Sequence, residues 1–545
     1  MATNNDSEAV KTESSESENA DGTHSETEVE KRIPCEISRL EIICLILVLL
    51  IASALRFYHL GSQGIRTSDG GLYAWQAWKV LQGGTDAIED KPGHTLLVVV
   101  SYYLLGLEMK SPLYMSSLLG VGMVVMVWLT VRQWYGRHAG MLAALFTACM
   151  PYLLLYHRSA NSDGNLVSSL AAAMFLYSRA LLKMENAELH WTESLLHFGL
   201  AGLMFGLSLS INYSMATTFV PLCISLCLLM VLKRRQRWQF ASGLGGMALG
   251  TAIGFGAVII VMWPYIAHKE LWRQILYHKS GFLKSNFSVR PFSMLAAYAG
   301  IPAILLGAAG VYHMCRRKRS FDLAILILCG FMAISYFRTL LTYPRIFICL
   351  CLPLVITCGA GIDFIRATLT EKRKRPAPAI ALAAAVVLVF QSSELKGAVE
   401  LKSGYQEVCS FLKEDGLELG LSTHSWWTFE AFTGKRFGYC SDALAQIMDS
   451  PRWESKLPRY LNNRKRQGFT HLVLDYYLWN CLRLEHNSRF ESSLMKYPIA
   501  FMAPNPAANH KQTIDEDGNL PPPGANPLAQ HIYVIRLSDI PDIER

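Results

Sequence analysis

With 545 residues, 51% of them hydrophobic and only 17% charged, the chain holds more apolar side chain than a soluble core needs, which points to an integral membrane protein. The formal net charge of +8 does not signal a nucleic-acid partner, because the basic residues stand in short clusters between apolar runs, where resistance of Lys and Arg to translocation accounts for them. The 13 cysteines fall mostly in or beside apolar runs and offer no paired CxxC metal-ligand spacing.

Residues 1–32 carry nine acidic and three basic residues among Ser, Thr and Asn, too little apolar surface to offset the entropy of ordering, so 1–38 read as a disordered acidic tail. No cleavable signal peptide is expected, since the first apolar run starts at Leu40 without a cleavage pattern behind it. A span needs about 20 mostly apolar residues. Eleven segments qualify: 40–57, 113–131, 138–156, 164–183, 196–211, 213–232, 242–263, 292–313, 321–337, 345–365 and 376–393. Thr95 to Leu107 is too short and reads as a re-entrant or interfacial helix. With it kept out of the count, the clusters Lys233 to Arg237, Arg316 to Arg319 and Lys372 to Arg375 share the amino terminus's side. That side is expected to be cytoplasmic. The first outer loop, 58–112, the turn around Asp163, the loop 264–291 and "RTLLTYPR" then share the opposite face.

From 394 the composition becomes that of a soluble domain. A helical pattern, "YQEVCSFLKEDG", precedes the β-prone runs "RFGYC", "HLVLDYY" and "HIYVIRL", which predicts a small extracytoplasmic α/β domain over 394–545. Cys409, Cys440 and Cys481 allow one disulfide and a thiol, or three thiols. The fold class expected is thus a polytopic α-helical membrane protein with a C-terminal soluble α/β domain.

The outer loops hold the chemistry. Asp69 opens the aromatic helix "GLYAWQAWKVL", whose Tyr73, Trp75 and Trp78 suit a helix lying flat at headgroup depth. Asp69 can simply cap that helix, or it can face a lipid phosphate. In "EDKPGH", Lys91 suits a phosphate as a point charge, with Asp90 or Glu89 fixing it. Arg158 and Asp163 flank the next outer turn, where they either pair with each other or serve a site. Arg338 and Arg345 break the charge bias of outer loops and, with Tyr343 at the same turn, read as anion ligands, and Arg273, His278, Lys279 and Lys284 extend that basic, aromatic surface. These groups suit attack on a sugar whose leaving group is a lipid phosphate: one carboxylate takes the acceptor's proton, and cations stabilise the departing phosphate. The leaving group is already acidic, so no general acid is required, and the acceptor attacks the opposite anomeric face. No cofactor is required; the carboxylates leave room for a divalent metal. In "STHSWWTFEAFTG", Trp426 and Trp427 suit sugar rings or a core.

The series Asp69 with Tyr73, "DKP", "RQWYGRHAGMLAALFTACMPYLLLYHRSANSDG" and "YPRIFICLCLPLV" resembles GT-C glycosyltransferases of the dolichyl-phosphate-mannose protein mannosyltransferase type, including the lipid A aminoarabinose transferases, over about residues 40–365. The resemblance implies a GT-C-like fold, a polyprenyl-phosphate-linked sugar donor and an active site on the non-cytoplasmic face. It implies Asp69 as the base, Asp163 as a second acid, Lys91 as a binder of the lipid phosphate and Arg345 as the basic residue before a late span. Gly70 replaces a second acidic residue common in that family, which shifts part of its work to Asp90 or Asp163. Gly93 replaces a second proline, which suggests a looser turn. The site expected is therefore Asp69, Asp163 and Asp90 for catalysis, Lys91, Arg158, Arg345 and Arg338 for the donor phosphate, and Tyr73, Tyr343 and His278 for substrate. The acceptor is left open among protein, lipid and glycan, and the setting adopted is a bacterial cytoplasmic membrane. The rival reading, a transporter or flippase, would place polar groups at the midplane of repeated, interrupted helices, and no repeat is visible.

Overall fold

The computed structural model describes residues 37–65, 68–186, 189–281, 296, 299–337, 348–372, 375–400, 403–423, 425–475, 496–504 and 531–541. The predicted tail lies outside them except for Ile37 and Ser38. Helix α1, Arg39–Phe57, starts where the Ser38 hydroxyl accepts the Glu41 amide at 3.2 Å, with Glu41 in the first turn to complement the helix dipole. Next come α2 Ser68–Leu81, α3 Pro92–Leu105, α4 Lys110–Tyr135, α5 Arg137–Cys149, α6 Pro151–His157, α7 Ser162–Glu185, α8 Trp191–Ile211, α9 Ala216–Leu232, α10 Arg237–Met262 and α11 His268–Gly281. The helical region closes with α12 Ile301–Arg317, α13 Ser320–Phe337, α14 Cys351–Glu371 and α15 Ala377–Glu400.

Among the described residues, seven helical stretches are long and apolar enough to cross a membrane, or eight if α5 and α6 form one broken span. The expected single span 138–156 is that broken pair, bent by 57°. Pro151 supplies no N–H and holds Met150 in an extended conformation, so the helix restarts in a new direction. The segment set aside as too short is α3, 14 residues long. Glycines let α8 and α10 touch backbone to backbone: a Cβ on Gly202, Gly206, Gly246, Gly250 or Gly254 would collide with a carbonyl of the facing helix, the small-residue packing usual between helices in lipid.

One end of the bundle gathers the basic clusters. Arg317 lies 3.0 Å from Asp363 and 3.6 Å from Asp322 and donates to the Trp134 carbonyl at 3.0 Å. Lys233 donates to Ser320 at 2.8 Å, and Arg132 grips Glu41 at 2.5 Å. The amino-terminal end of α1 is therefore on the same end as these clusters, the arrangement the charge bias required.

At the other end sits a five-stranded sheet of order β2-β1-β3-β5-β4, made of β1 Leu419–Ser422, β2 Arg436–Tyr439, β3 His471–Leu474, β4 Phe501–Pro504 and β5 His531–Arg536. Strand β1 runs parallel to β2 and β3, and β5 runs antiparallel to β3 and β4. Strand alternation divides its side chains: Val473 and Val534 face Tyr405, Val408 and Phe429, while Leu472, Leu474 and Ile535 face Leu444, Leu457 and Leu461. The first layer is α16 Tyr405–Glu414 with α17 Trp426–Thr433, and the second is α18 Ser441–Met448 with α19 Trp453–Arg466. Cys409 and Cys440 are buried free thiols in these two separate cores, and Cys481 lies outside the described residues.

Asp415 ties α16 to the sheet. The Arg536 guanidinium, at 2.5 Å, and His471, at 3.0 Å, hold its carboxyl down to about 2. Because the folded state lowers this pKa, the contribution is complete above about pH 4 and is lost as pH falls toward 2. Between those values the wild-type sheet domain is expected to lose more thermal stability than Asp415→Asn, read by circular dichroism in detergent. Parallel pH profiles for the two proteins would disprove that role.

Candidate functional site

The turn between α2 and α3 is pinned at both ends. Ile88 donates to the Tyr265 carbonyl at 2.8 Å and accepts from Ala267 at 2.9 Å, so the loop entering α3 is stitched to the segment before α11. Lys91 then takes a left-handed backbone, φ 49°, and Pro92 begins α3 at a position that needs no N–H. This conformation turns the Lys91 side chain back toward α2, where its Nζ donates to Tyr73 Oη at 2.8 Å and lies 3.5 Å from Asp90 Oδ2. Lys91 is 7% exposed, and Asp90 Oδ1 is buried with no hydrogen-bond partner among the described residues. Burial pushes the Tyr73 hydroxyl above its ordinary pKa, so it stays protonated and can accept the lysine's hydrogen bond. Asp69, half-buried in the first turn of α2, acts electrostatically on both Tyr73 and His94.

Gly93 does not loosen this turn. A Cβ there would collide with Ser210, so glycine is what lets the first turn of α3 press onto α8. Gly71 does the same on the other side: a Cβ would collide with Thr428 of α17, which places the sheet domain two residues from Asp69. Trp75 donates to Glu430 at 3.2 Å and meets Trp426 edge-on at 5.4 Å. The aromatic face expected at headgroup depth is therefore partly covered by protein, and Tyr73, Ala74 and Ala77 share one core with Tyr405, Phe429 and Val534.

The second turn lies close by. His94 contacts the Ala160 carbonyl through Nε2 at 2.9 Å, and Asn165 reaches its Nδ1 at 3.2 Å. Asp163, 7% exposed at the start of α7, accepts from Asn212 at 3.1 Å, and the same amide reaches Ser162. Asn212 thus serves as a clamp on this acid.

Arg158 needs correcting as a phosphate ligand. It is fully buried, and its Nη1 donates to the Leu55 and Arg56 carbonyls at 2.7 and 2.9 Å while its Nη2 donates to those of Tyr58 and Val399, both at 2.8 Å. It closes the end of α1 onto α15, and it does not pair with Asp163. Asp69, Tyr73, Asp90 and Lys91 are brought together. Arg338, Tyr343 and Arg345 lie outside the described residues, as does the side chain of His278. The residues the sequence reading missed are His94, Asn165 and Asn212. The signal for His94 was in plain view, because it falls in the first turn of α3, three residues after Lys91. Among the described residues no three His, Cys, Asp or Glu side chains converge as a metal-ligand set.

Residues 90–279 match the family model described as dolichyl-phosphate-mannose-protein mannosyltransferase. No curated protein sequence matches the chain. Among solved structures, the archaeal oligosaccharyltransferase AglB from Archaeoglobus fulgidus, in complex with an inhibitory peptide and a dolichol-phosphate, superposes with a TM-score of 0.60 at 11% identity, over 89% of this chain and 74% of that one. ArnT from Cupriavidus metallidurans bound to undecaprenyl phosphate superposes with a TM-score of 0.59 at 13% identity, over 93% of this chain and 100% of that one. Its apo form gives 0.60 at 13% identity, over 91% and 98%. The chain, a polytopic helical membrane protein with a small sheet domain at its carboxyl end, has the fold of the GT-C glycosyltransferases.

Proposed function

We propose that this protein is a membrane glycosyltransferase that moves a sugar from a polyprenyl-phosphate donor to an acceptor hydroxyl or amine at the face carrying the sheet domain. The observation that carries this reading is the buried Lys91 ammonium, turned toward Tyr73 and Asp90 beside Asp69. The lipid phosphates held by AglB and ArnT on the same fold support it.

In this reading Lys91 holds the donor phosphate, with Asp90 and Tyr73 aiming its ammonium. The acceptor's lone pair attacks the anomeric carbon as the bond from that carbon to the phosphate oxygen breaks, and the configuration inverts. The phosphate leaves with the bonding electrons, stabilised by the lysine, and the acceptor's proton passes to the Asp69 carboxylate. Asp163, Arg345 and Arg338 complete the charge pattern, and Tyr343 and His278 are assigned to substrate. The end with the basic clusters is assigned to the cytoplasm, and the membrane to the bacterial inner membrane.

The test uses the purified full-length protein with polyprenyl-phosphate-linked sugars. Wild type is expected to consume donor, and Lys91→Ala is expected to bind it roughly 10- to 150-fold more weakly, the loss of one hydrogen bond to a charged group at about 1.5–3 kcal/mol. A wild-type protein that neither binds nor consumes any lipid-linked sugar refutes the reading.

A further inference from the structure

His94 is 1% exposed, and both of its ring nitrogens are engaged. A carbonyl oxygen only accepts, so the nitrogen facing Ala160, Nε2, must carry the proton. Nδ1 is then the acceptor for the Asn165 amide, and the ring is a neutral imidazole of a single tautomer. Its orientation is fixed from two sides: by the turn that precedes α7 and by α7 itself. The fixed ring in turn meets Tyr73 edge-on, with centroids 4.6 Å apart and planes at 84°. Tyr73 accepts the hydrogen bond from Lys91. A second contact braces the same register, since Thr95, the next residue, donates to Gln76 of α2 at 2.9 Å.

Ala160 and Asn165 bracket Asp163 in the chain, so the groups that hold the imidazole belong to the segment that presents the second acid. We propose that His94 is a positioning residue: the imidazole held by Ala160 and Asn165 sets the ring of Tyr73 and thereby the ammonium of Lys91, coupling the phosphate-binding turn to the turn that carries Asp163. Helix α3 alone does not supply this coupling, because Lys91 stands before its first turn in a left-handed conformation whose side-chain direction depends on what it meets. The inference rests on the glycosyltransferase reading for its purpose, while the linkage itself is a property of the unliganded protein.

The experiment therefore begins without donor. The full-length protein in detergent is acylated with a small amine-reactive ester, and modification of Lys91 over time is followed by peptide mass spectrometry. His94→Phe keeps an aromatic edge against Tyr73 but loses both hydrogen bonds, and Asn165→Ala removes only the donor to Nδ1. Lys91 is expected to react about five- to tenfold faster in both, the release of roughly one hydrogen bond. His94→Gln, which can still donate toward Ala160, is expected to recover part of the protection. Undecaprenyl phosphate is then titrated onto the same proteins, and its dissociation constant is expected to rise in the same order. If Lys91 reacts at the wild-type rate in a folded His94→Phe, or in Asn165→Ala should His94→Phe fail to fold, the coupling is refuted and the donor reading is untouched. If Lys91 protection falls as stated but the wild type does not bind undecaprenyl phosphate, the donor reading fails and the coupling stands.

Discussion

Asp69→Asn is expected to fold, to bind undecaprenyl phosphate with wild-type affinity, and to transfer sugar about 10²–10⁴-fold more slowly, the usual contribution of a positioned general base. The split between binding and turnover is the informative part. Lys91 and Tyr73 touch each other and would report on the phosphate, whereas Asp69 is half-buried in the first turn of α2, within electrostatic reach of Tyr73 but on a separate turn from the lysine. Removing its charge should leave the phosphate site intact and withdraw the proton acceptor. Single-turnover assays with enzyme in excess over donor measure the chemical step directly. Full turnover in Asp69→Asn would move the base to Asp90, whose Oδ1 is buried without a partner among the described residues.

For Arg158→Met the expected result is loss of the folded protein rather than of donor binding. The change removes four hydrogen bonds from a charged donor, two of them in fully buried surroundings, and although Ser117 and Gln63 still reach the Arg56 and Val399 carbonyls, a loss of about 3 kcal/mol or more is expected. Arg158→Lys should recover only part, because an ammonium cannot reach four acceptors with the geometry of a guanidinium fork. The measurement is the thermal midpoint and the monodisperse fraction in detergent. A stable Arg158→Met that fails only to bind polyprenyl phosphate would restore this residue to the donor site.

Most of the helical architecture was legible because hydropathy and length are properties of contiguous sequence. The gathering of the basic clusters at one end with the start of α1 was legible for the same reason. Arg158 was misassigned because its partners are main-chain carbonyls, those of Leu55, Arg56 and Tyr58 at 100 to 103 positions away and that of Val399 at 241, and a main-chain acceptor has no residue signature. Gly93 was misjudged in a similar way: a glycine that loosens a turn and one that admits a neighbouring helix look identical until Ser210 is placed beside it. In the sheet domain, "RFGYC", "HLVLDYY" and "HIYVIRL" announced β2, β3 and β5 through β-branched and aromatic content. "LGLS" and "FMAP" did not, because each holds few β-branched or aromatic strand formers. The break in 138–156 could have been read, since Pro151 sits inside that segment.

The contact of Trp75 with Glu430 joins residues 355 positions apart. At about 5–20 residues per second, the chain that covers α2 leaves the ribosome roughly 20–70 s after α2 itself. Throughout that interval Gly71, Trp75 and the Tyr73 face wait with the surface they will bury against α17 still bare. The turn proposed to hold the donor is thus among the first parts of the protein to be made and among the last to be finished, so a nascent chain stalled before residue 403 is expected to lack donor binding and to be prone to capture by membrane chaperones.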